Sequence, residues 1–309
     1  MEKLHTKSLS SSEPSVNSDI KRRDHLATLL RRYPALRRLL KDKGALTGLV
    51  VVLLFVIIGI LAPYLAPFDV AGINLAQALQ GPSLEHPMGT DQLGRDIFSR
   101  VLFGTRISLQ IGVVTVSVAL ALGVPLGVVG GYIGGWPDTA IVLIIDILLA
   151  FPTILLALIM ISILGPDLRN AIIAVGVASM PIFARLARAS TISVKQNEYI
   201  LAAIALGESK PSILVRHIFP NITSPLIVQT TLRIGTAILT AASLSFLGLG
   251  AQPPTPEWGA MVSEGRTLLQ VAPHIIIFPG LAIMLCILGF SVLGDGLNDA
   301  LNPQISSGD

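Results

Sequence analysis

Charge is scarce in this chain. Asp, Glu, Lys and Arg make up 13% of its 309 residues, against about a quarter in an ordinary soluble domain. A soluble fold of this length could not cover its apolar surface with so few polar side chains, so lipid must cover it. Cysteine is almost missing too. Cys286, inside an apolar stretch, is the only one, which excludes an internal disulfide framework and any multi-cysteine metal site. No phosphate-binding P-loop, no GxSxG and no HExxH occurs, and no polar segment is long enough to form a catalytic domain. The five histidines are scattered, so metal ligation has no motif behind it. An intramembrane enzyme would need a Ser/His, Asp/Asp or metal constellation, and none is present.

What the chain has in abundance is apolar sequence: 52% of its residues are hydrophobic and its mean hydropathy is +0.72. Runs near 20 residues mark membrane spans, and six are found: Ala45–Ala66, Thr105–Gly130, Thr139–Leu164, Asn170–Ala189, Ile222–Leu247 and His274–Leu293. The organisation predicted is an all-α polytopic membrane protein. It has an N-terminal tail over 1–44, a first span over 45–66, an external loop over 67–104 and a five-helix core over 105–300, followed by a tail over 301–309. The core includes a cytoplasmic loop over 190–221. The tail is too long and polar, and the first apolar run too long, for a cleavable signal peptide. Residues 1–20 are expected to be disordered. Ile20–Lys43 is either an amphipathic surface helix, with Leu26, Leu29, Leu30, Leu36, Leu39 and Leu40 on its apolar side, or a solvated basic tail.

Orientation follows from Lys and Arg, which favour the cytoplasmic side. Lys21, Arg22, Arg23, Arg31, Arg32, Arg37, Arg38, Lys41 and Lys43 precede the first span. Arg185, Arg188, Lys195, Lys210 and Arg216 accompany the connection between the fourth and fifth. Six crossings put both clusters on one side, with both termini in the cytoplasm.

The stretch Glu198–Asn221 (EYILAAIALGESKPSILVRHIFPN) lies in that connection. Tyr199–Leu206 favours a helix, Gly207 suits a left-handed stop, and Ser209 followed by Pro211 suits a fresh start. Pro220 is expected to end the second helix before the next span. Small Ala202 and Ala203 would let another helix approach closely. The loop could be a docking element or a helix–turn–helix that only reverses the chain.

Other polar positions invite similar pairs of interpretations. Gly89, Thr90, Asp91, Gly94, Arg95 and Asp96 form turn-prone segments after the first span. Asp91, Arg95, Asp96 and Arg100 could staple this loop to itself, or touch substrate or a delivering protein. Asp146 and Arg233 fall inside spans, where charge is expensive; they could line a substrate path. Otherwise Asp146 bonds a neighbouring span and Arg233 snorkels to the cytoplasmic interface. Gly112, Gly123, Gly127, Gly130 and Gly235 suit close helix crossings. Pro253–Gln270 is predicted to be an amphipathic helix at the outer interface with Trp258 as its anchor.

The spacing Ala202-Ala203-x3-Gly207, with Pro220 thirteen residues after the glycine, resembles the EAA motif of ABC importer permeases. Leu201 stands where that motif has Glu. Arg216–Asn221 and the string His86–Asp96 resemble the dipeptide/oligopeptide/nickel branch, in the permease with the longer N-terminal tail. So do Gly130–Trp136, Ala150–Phe151–Pro152, expected to kink the third span, and Ser245–Gly250 with Glu257–Trp258–Gly259. The resemblance covers about residues 40–303. Many relatives carry a basic residue near Leu143 and an acidic one near Ala241; both are apolar here, so that pair's role does not transfer.

The resemblance implies a type I importer permease in the cell (cytoplasmic or inner) membrane that translocates di- or oligopeptides. Nickel or another small solute is the alternative within the family. It implies a homologous permease as heterodimer partner, two ATPase subunits and an extracytoplasmic binding protein. No cofactor is assigned to this chain, because ATP and Mg belong to the ATPase. Leu201, Ala202, Ala203, Gly207, His217, Ile218, Phe219 and Pro220 become the ATPase-docking set. A self-contained secondary transporter or channel would need internal repeats or discontinuous helices with polar groups at the midplane, and no convincing repeat is visible.

Overall fold

The computed structural model describes residues 34–301. The expected disorder over 1–20 and most of the proposed surface helix lie outside them, as does the tail beyond 301. The part of that helix inside them, α1 (Pro34–Lys41), is helical and tucks Leu39 against Ala45 and Ala300. Asp42 breaks it from the first long helix, α2 (Lys43–Leu65), and caps α2 by accepting a 2.9 Å bond from the Ala45 amide. Next come α3 (Ile97–Ile133), a pair α4 (Gly135–Leu149) and α5 (Thr153–Leu164), α6 (Leu168–Lys195) and short α7 (Glu198–Ala205). The chain closes with α8 (Lys210–Phe246), α9 (Trp258–Gly265) and α10 (His274–Leu301).

Five of these helices are long and apolar enough to cross a membrane, and the sixth crossing depends on α4 and α5, which meet at 90°. The expected kink at Phe151–Pro152 is therefore a full corner. Proline supplies no N–H and pushes Phe151 out of the helical region. Whether the cornered pair crosses is decided by its neighbours. Gly123 of α3 lies against Met180 and Ala184 of α6, Gly127 against Ala184 and Arg188, and Gly131 against Arg188 and Thr191. Both sets of numbers rise together, so α3 and α6 run parallel. A chain that ends one helix and begins a parallel neighbour must travel back between them, and α4–α5 makes that return. The chain thus crosses six times.

The parallel contact is close because it is built on glycine. A methyl group at Gly127 would sit 2.2 Å from the Ala184 carbonyl oxygen, so backbones approach and dispersion replaces the missing hydrophobic drive in lipid. The other long contacts are antiparallel: Ala45 meets Gly296 and Gly48 meets Leu293 between α2 and α10, while Leu232 meets Gly294 between α8 and α10. The beginnings of α2 and α8 and the end of α10 consequently share one end of the bundle.

Candidate functional site

That shared end carries an elbow made by α7 and the first turns of α8. At its corner Gly207 has φ +80°. The Glu208 amide bonds to the Ala203 carbonyl at 3.1 Å and the Gly207 amide to that of Ile204 at 3.0 Å, the paired closure of a Schellman stop. Glu208 then ties the corner to α8: Ser212 Oγ donates to its carboxylate, and His217 Nε2 lies 3.0 Å from Oε2. The Ser212 bond, then the His217 bond, hold the Glu208 carboxyl below its ordinary value of 4.5.

One face of the elbow is anchored. Ile200, Ile213 and Ile218 are buried in a cluster with Tyr132, Phe183 and Ile222, and Lys195 Nζ donates to the Tyr132 carbonyl at 2.7 Å. The opposite face is apolar and open. Leu201 is 56% exposed and Leu206 is 88% exposed, with Tyr199, Ile204, Val215 and Phe219 beside them. Ala202 and Pro220 are exposed, while Ala203 faces inward; only one alanine of the pair offers itself to an approaching helix. His217 is half-buried.

Pro220 does not end the second helix, contrary to expectation. The helix runs unbroken from Lys210 to Phe246 because Leu214–Ile218 forms a π turn, in which the Phe219 amide reaches the Leu214 carbonyl. The extra residue per turn absorbs the donor that proline lacks. The second arm of the elbow and the fifth span are one continuous helix. Arg185 and Arg188 also move from the basic loop into α6. Arg188 grips Asp138 of α4 at 2.5 and 2.6 Å, and Arg185 pairs with Asp146.

At the other end, the Gly89–Asp96 string is a buried lock. Asp91 Oδ1 accepts from the Leu93 and Arg95 amides, and its Oδ2 lies 2.6 Å from Arg95 Nε. Arg95 and Arg100 both reach Glu264 of α9, 2.6 and 3.4 Å away. Asp96 caps α3 through the Ser99 amide and meets His86 Nδ1 at 2.9 Å. Thr90 bonds Gln77 and Gln80, and its carbonyl lies near His274. At Gly94, φ is +71° and a β-carbon would fall 1.8 Å from the Asn74 carbonyl oxygen, so only glycine fits. Of the two interpretations of this string, the staple is what the geometry realises.

Trp258 is likewise no interfacial anchor. It is fully buried, donating to the Val101 carbonyl at 3.1 Å in the space that Gly104 leaves. Glu257, also buried, caps α9 through the Gly259 and Ala260 amides. Burial raises its carboxyl above the ordinary value, opposed by those bonds.

The two in-span charges are not partners of each other. Asp146 answers Arg185 across α4 and α6, as a charge bonding a neighbouring span should. Arg233 has no acidic partner among the described residues. Sequence patterns missed the roles of Glu208 and Glu264. Glu208 had a local signal, the i,i+4 spacing to Ser212; Glu264 had none, since its partners are more than 160 residues away.

Comparison with known proteins agrees with this architecture. Residues 123–307 match the family model described as binding-protein-dependent transport system inner membrane component, and residues 34–82 match the N-terminal transmembrane domain of oligopeptide transport permease C. The chain is 49% identical over 273 residues to a dipeptide transport system permease protein of Alkalihalophilus pseudofirmus, covering 88% of this chain and 90% of that one. It is 50% identical over 270 residues to a glutathione transport system permease protein of Escherichia coli, covering 87% and 89%. A chain of the MetNI methionine ABC transporter, solved in inward-facing conformations, superposes with a TM-score of 0.55 at 19% identity, covering 67% of this chain and 98% of that one. That last likeness concerns the fold.

Proposed function

The chain belongs to the family of binding-protein-dependent inner membrane transport components, in the branch with the oligopeptide-permease N-terminal span; on that premise we propose that its α7–α8 elbow docks a separate ATPase and drives the import of short peptides. The membrane-spanning subunit of an ABC importer performs no bond chemistry itself. Its task is to convert motion of an ATPase into a change of access.

The observation that carries the proposal is the continuity of the elbow with α8. An open apolar face of Leu201, Ile204 and Leu206 on α7 is joined through the Gly207 corner, which Glu208 ties to α8, to a span-length helix that itself carries exposed Phe219. Force applied at that face therefore moves the span as a rod, while Ile200, Ile213 and Ile218 transmit it to α3 and α6. ATP and Mg sit in the partner ATPase, and two such subunits would serve this chain and a homologous permease paired with it. Closure of the ATPase pair brings the two elbows together and tilts the bundles between inward- and outward-facing states.

The elbow end carries Lys195, Lys210 and Arg216 together with Arg38, Lys41 and Lys43, which supports a cytoplasmic position for it and for both termini. The buried lock then faces outward, toward an extracytoplasmic binding protein. Peptide cargo is supported by the names of the two relatives, one for dipeptides and one for glutathione.

The docking claim is tested by co-expressing the chain with its ATPase subunits and purifying the complex. Leu201→Glu with Leu206→Glu alters only exposed side chains, so yield in the membrane should hold. Each buried leucine contributes roughly 1.5–3 kcal/mol at an interface, so captured ATPase should fall at least about tenfold. Undiminished capture would place the docking surface elsewhere. Cargo is tested on the binding protein: tight nickel binding without peptide binding removes the peptide assignment and leaves the docking claim standing.

A further inference from the structure

Arg233 is placed where its charge has no ordinary outlet. It lies 13 residues before the end of α8 at Phe246, about 20 Å at 1.5 Å per residue, and its neighbour Leu232 faces Gly294 of α10, so it stands within the span. The hydrocarbon layer is about 30 Å thick. No described carboxylate answers it. A lone guanidinium at this depth needs water or an anion from outside the chain.

The same face of α8 carries the rest of the pattern. Gln229, Arg233, Thr236, Thr240 and Ser243 recur at steps of four and three, which aligns them on one stripe of the helix. Ile238, Ala241 and Ser245 on the opposite side are buried, while every member of the stripe is exposed or half-exposed. The three hydroxyls donate to their own helix, Thr236 to Arg233, Thr240 to Thr236 and Ser243 to Leu239. Their donors are thus occupied and their lone pairs point outward, able to accept from water. Polar side chains gathered on one exposed stripe, an arginine among them, suit a helix face that meets water better than one that meets lipid.

We infer that this stripe lines the aqueous translocation path and that Arg233 receives the carboxylate end of a passing peptide. The inference rests on the transporter function proposed above and adds a residue and a substrate group to it. The chemistry favours an anion over any other occupant. The station offers a planar fork of donors able to grip a carboxylate in two bonds, beside the unoccupied amide of Gln229. The in-span carboxylate Asp146 is held by Arg185 on another face of the bundle, so it does not neutralise the station.

The test uses the complete complex in lipid nanodiscs, open to reagent from both sides. Thr236→Cys and Thr240→Cys are compared with Leu54→Cys, an apolar exposed position in the middle of α2; buried Cys286 sets the background. Charged thiosulfonates react only with hydrated, ionised thiols. The stripe cysteines should react at least about tenfold faster than Leu54→Cys. They should also prefer the anionic over the cationic reagent by about fivefold, the effect of one nearby positive charge in a partly aqueous site. Arg233→Met should abolish that preference and lower uptake of a dipeptide with a free carboxylate, whereas Arg233→Lys should retain both. Three results overturn the inference: stripe cysteines as slow as Leu54→Cys, a charge preference indifferent to Arg233→Met, or loss of the second permease from the complex in that variant, which would assign the counter-ion to the partner. ATPase capture in the same samples reports separately on the transporter function, so its failure is not confused with theirs.

Discussion

Gly207 turns the elbow with φ +80°, and a β-carbon there would touch nothing within 4 Å. The penalty of substitution is therefore purely one of backbone conformation. Gly207→Ala should destabilise the elbow by about 1–2 kcal/mol, and Gly207→Asn by less, since asparagine tolerates the left-handed region. Hydrogen exchange across Glu198–Ile213 measures this directly: protection should fall roughly five- to thirtyfold in the alanine variant and recover in part with asparagine. Glu208, the next residue, adds a pH response. Its carboxyl is held below 4.5 by Ser212 and His217, so the folded state favours the ionised form. That contribution is complete above the ordinary value and is lost as pH falls through the lower, folded one. Exchange at the corner, corrected for its intrinsic pH dependence, should stay flat from neutrality to about 4.5 and rise below it, and Glu208→Gln should remove the step. The glycine was legible beforehand because a left-handed stop has a residue signature. The glutamate's two-sided role was not, because it depends on His217 being brought round by the π turn.

Helices and their junctions were legible as far as their periodicity and composition went. Apolar length located every long helix, yet it said nothing about which glycines face which neighbour. It also treated Pro220 as a terminus, where a π turn in fact lets the helix pass. Arg185 and Arg188 show the same limit: counted as loop charges, they lie in α6 and pair across to Asp146 and Asp138 of α4, which no local pattern could reveal. The parallel α3–α6 contact is the tightest element-level commitment in the bundle. Gly127→Leu would force a side chain into the Ala184 backbone, where even a methyl group has only 2.2 Å. Overpacking of a well-filled site costs about 1–3 kcal/mol when side chains can shift, and here the obstacle is backbone. A lowered midpoint of thermal unfolding in detergent, with Gly280→Ala as a control at an uncrowded helical position, checks that the loss comes from the crossing.

The whole molecule turns on parity. Five straight spans and one cornered pair leave two possible topologies, and they differ in where the α5–α6 junction lies. Six apolar runs and two basic clusters argued for six crossings, but three of the residues counted, Arg185, Arg188 and Lys195, belong to α6, which weakens the bias that they were meant to supply. The geometry replaces that support: parallel α3 and α6 require a return between them, and the antiparallel contacts of α10 with both α2 and α8 put the elbow and the described ends together. A reporter fused after Asp167 should therefore read extracytoplasmic, active as alkaline phosphatase and dark as a fluorescent protein, while fusions after Gln196 and Leu301 should read the reverse. A cytoplasmic reading at Asp167 would make the α4–α5 pair a re-entrant hairpin. In that case α6 would begin on the elbow's side and its direction would oppose α3. The glycine contacts from Gly123 to Gly131 would then be lost, and the elbow could no longer be anchored beneath Tyr132.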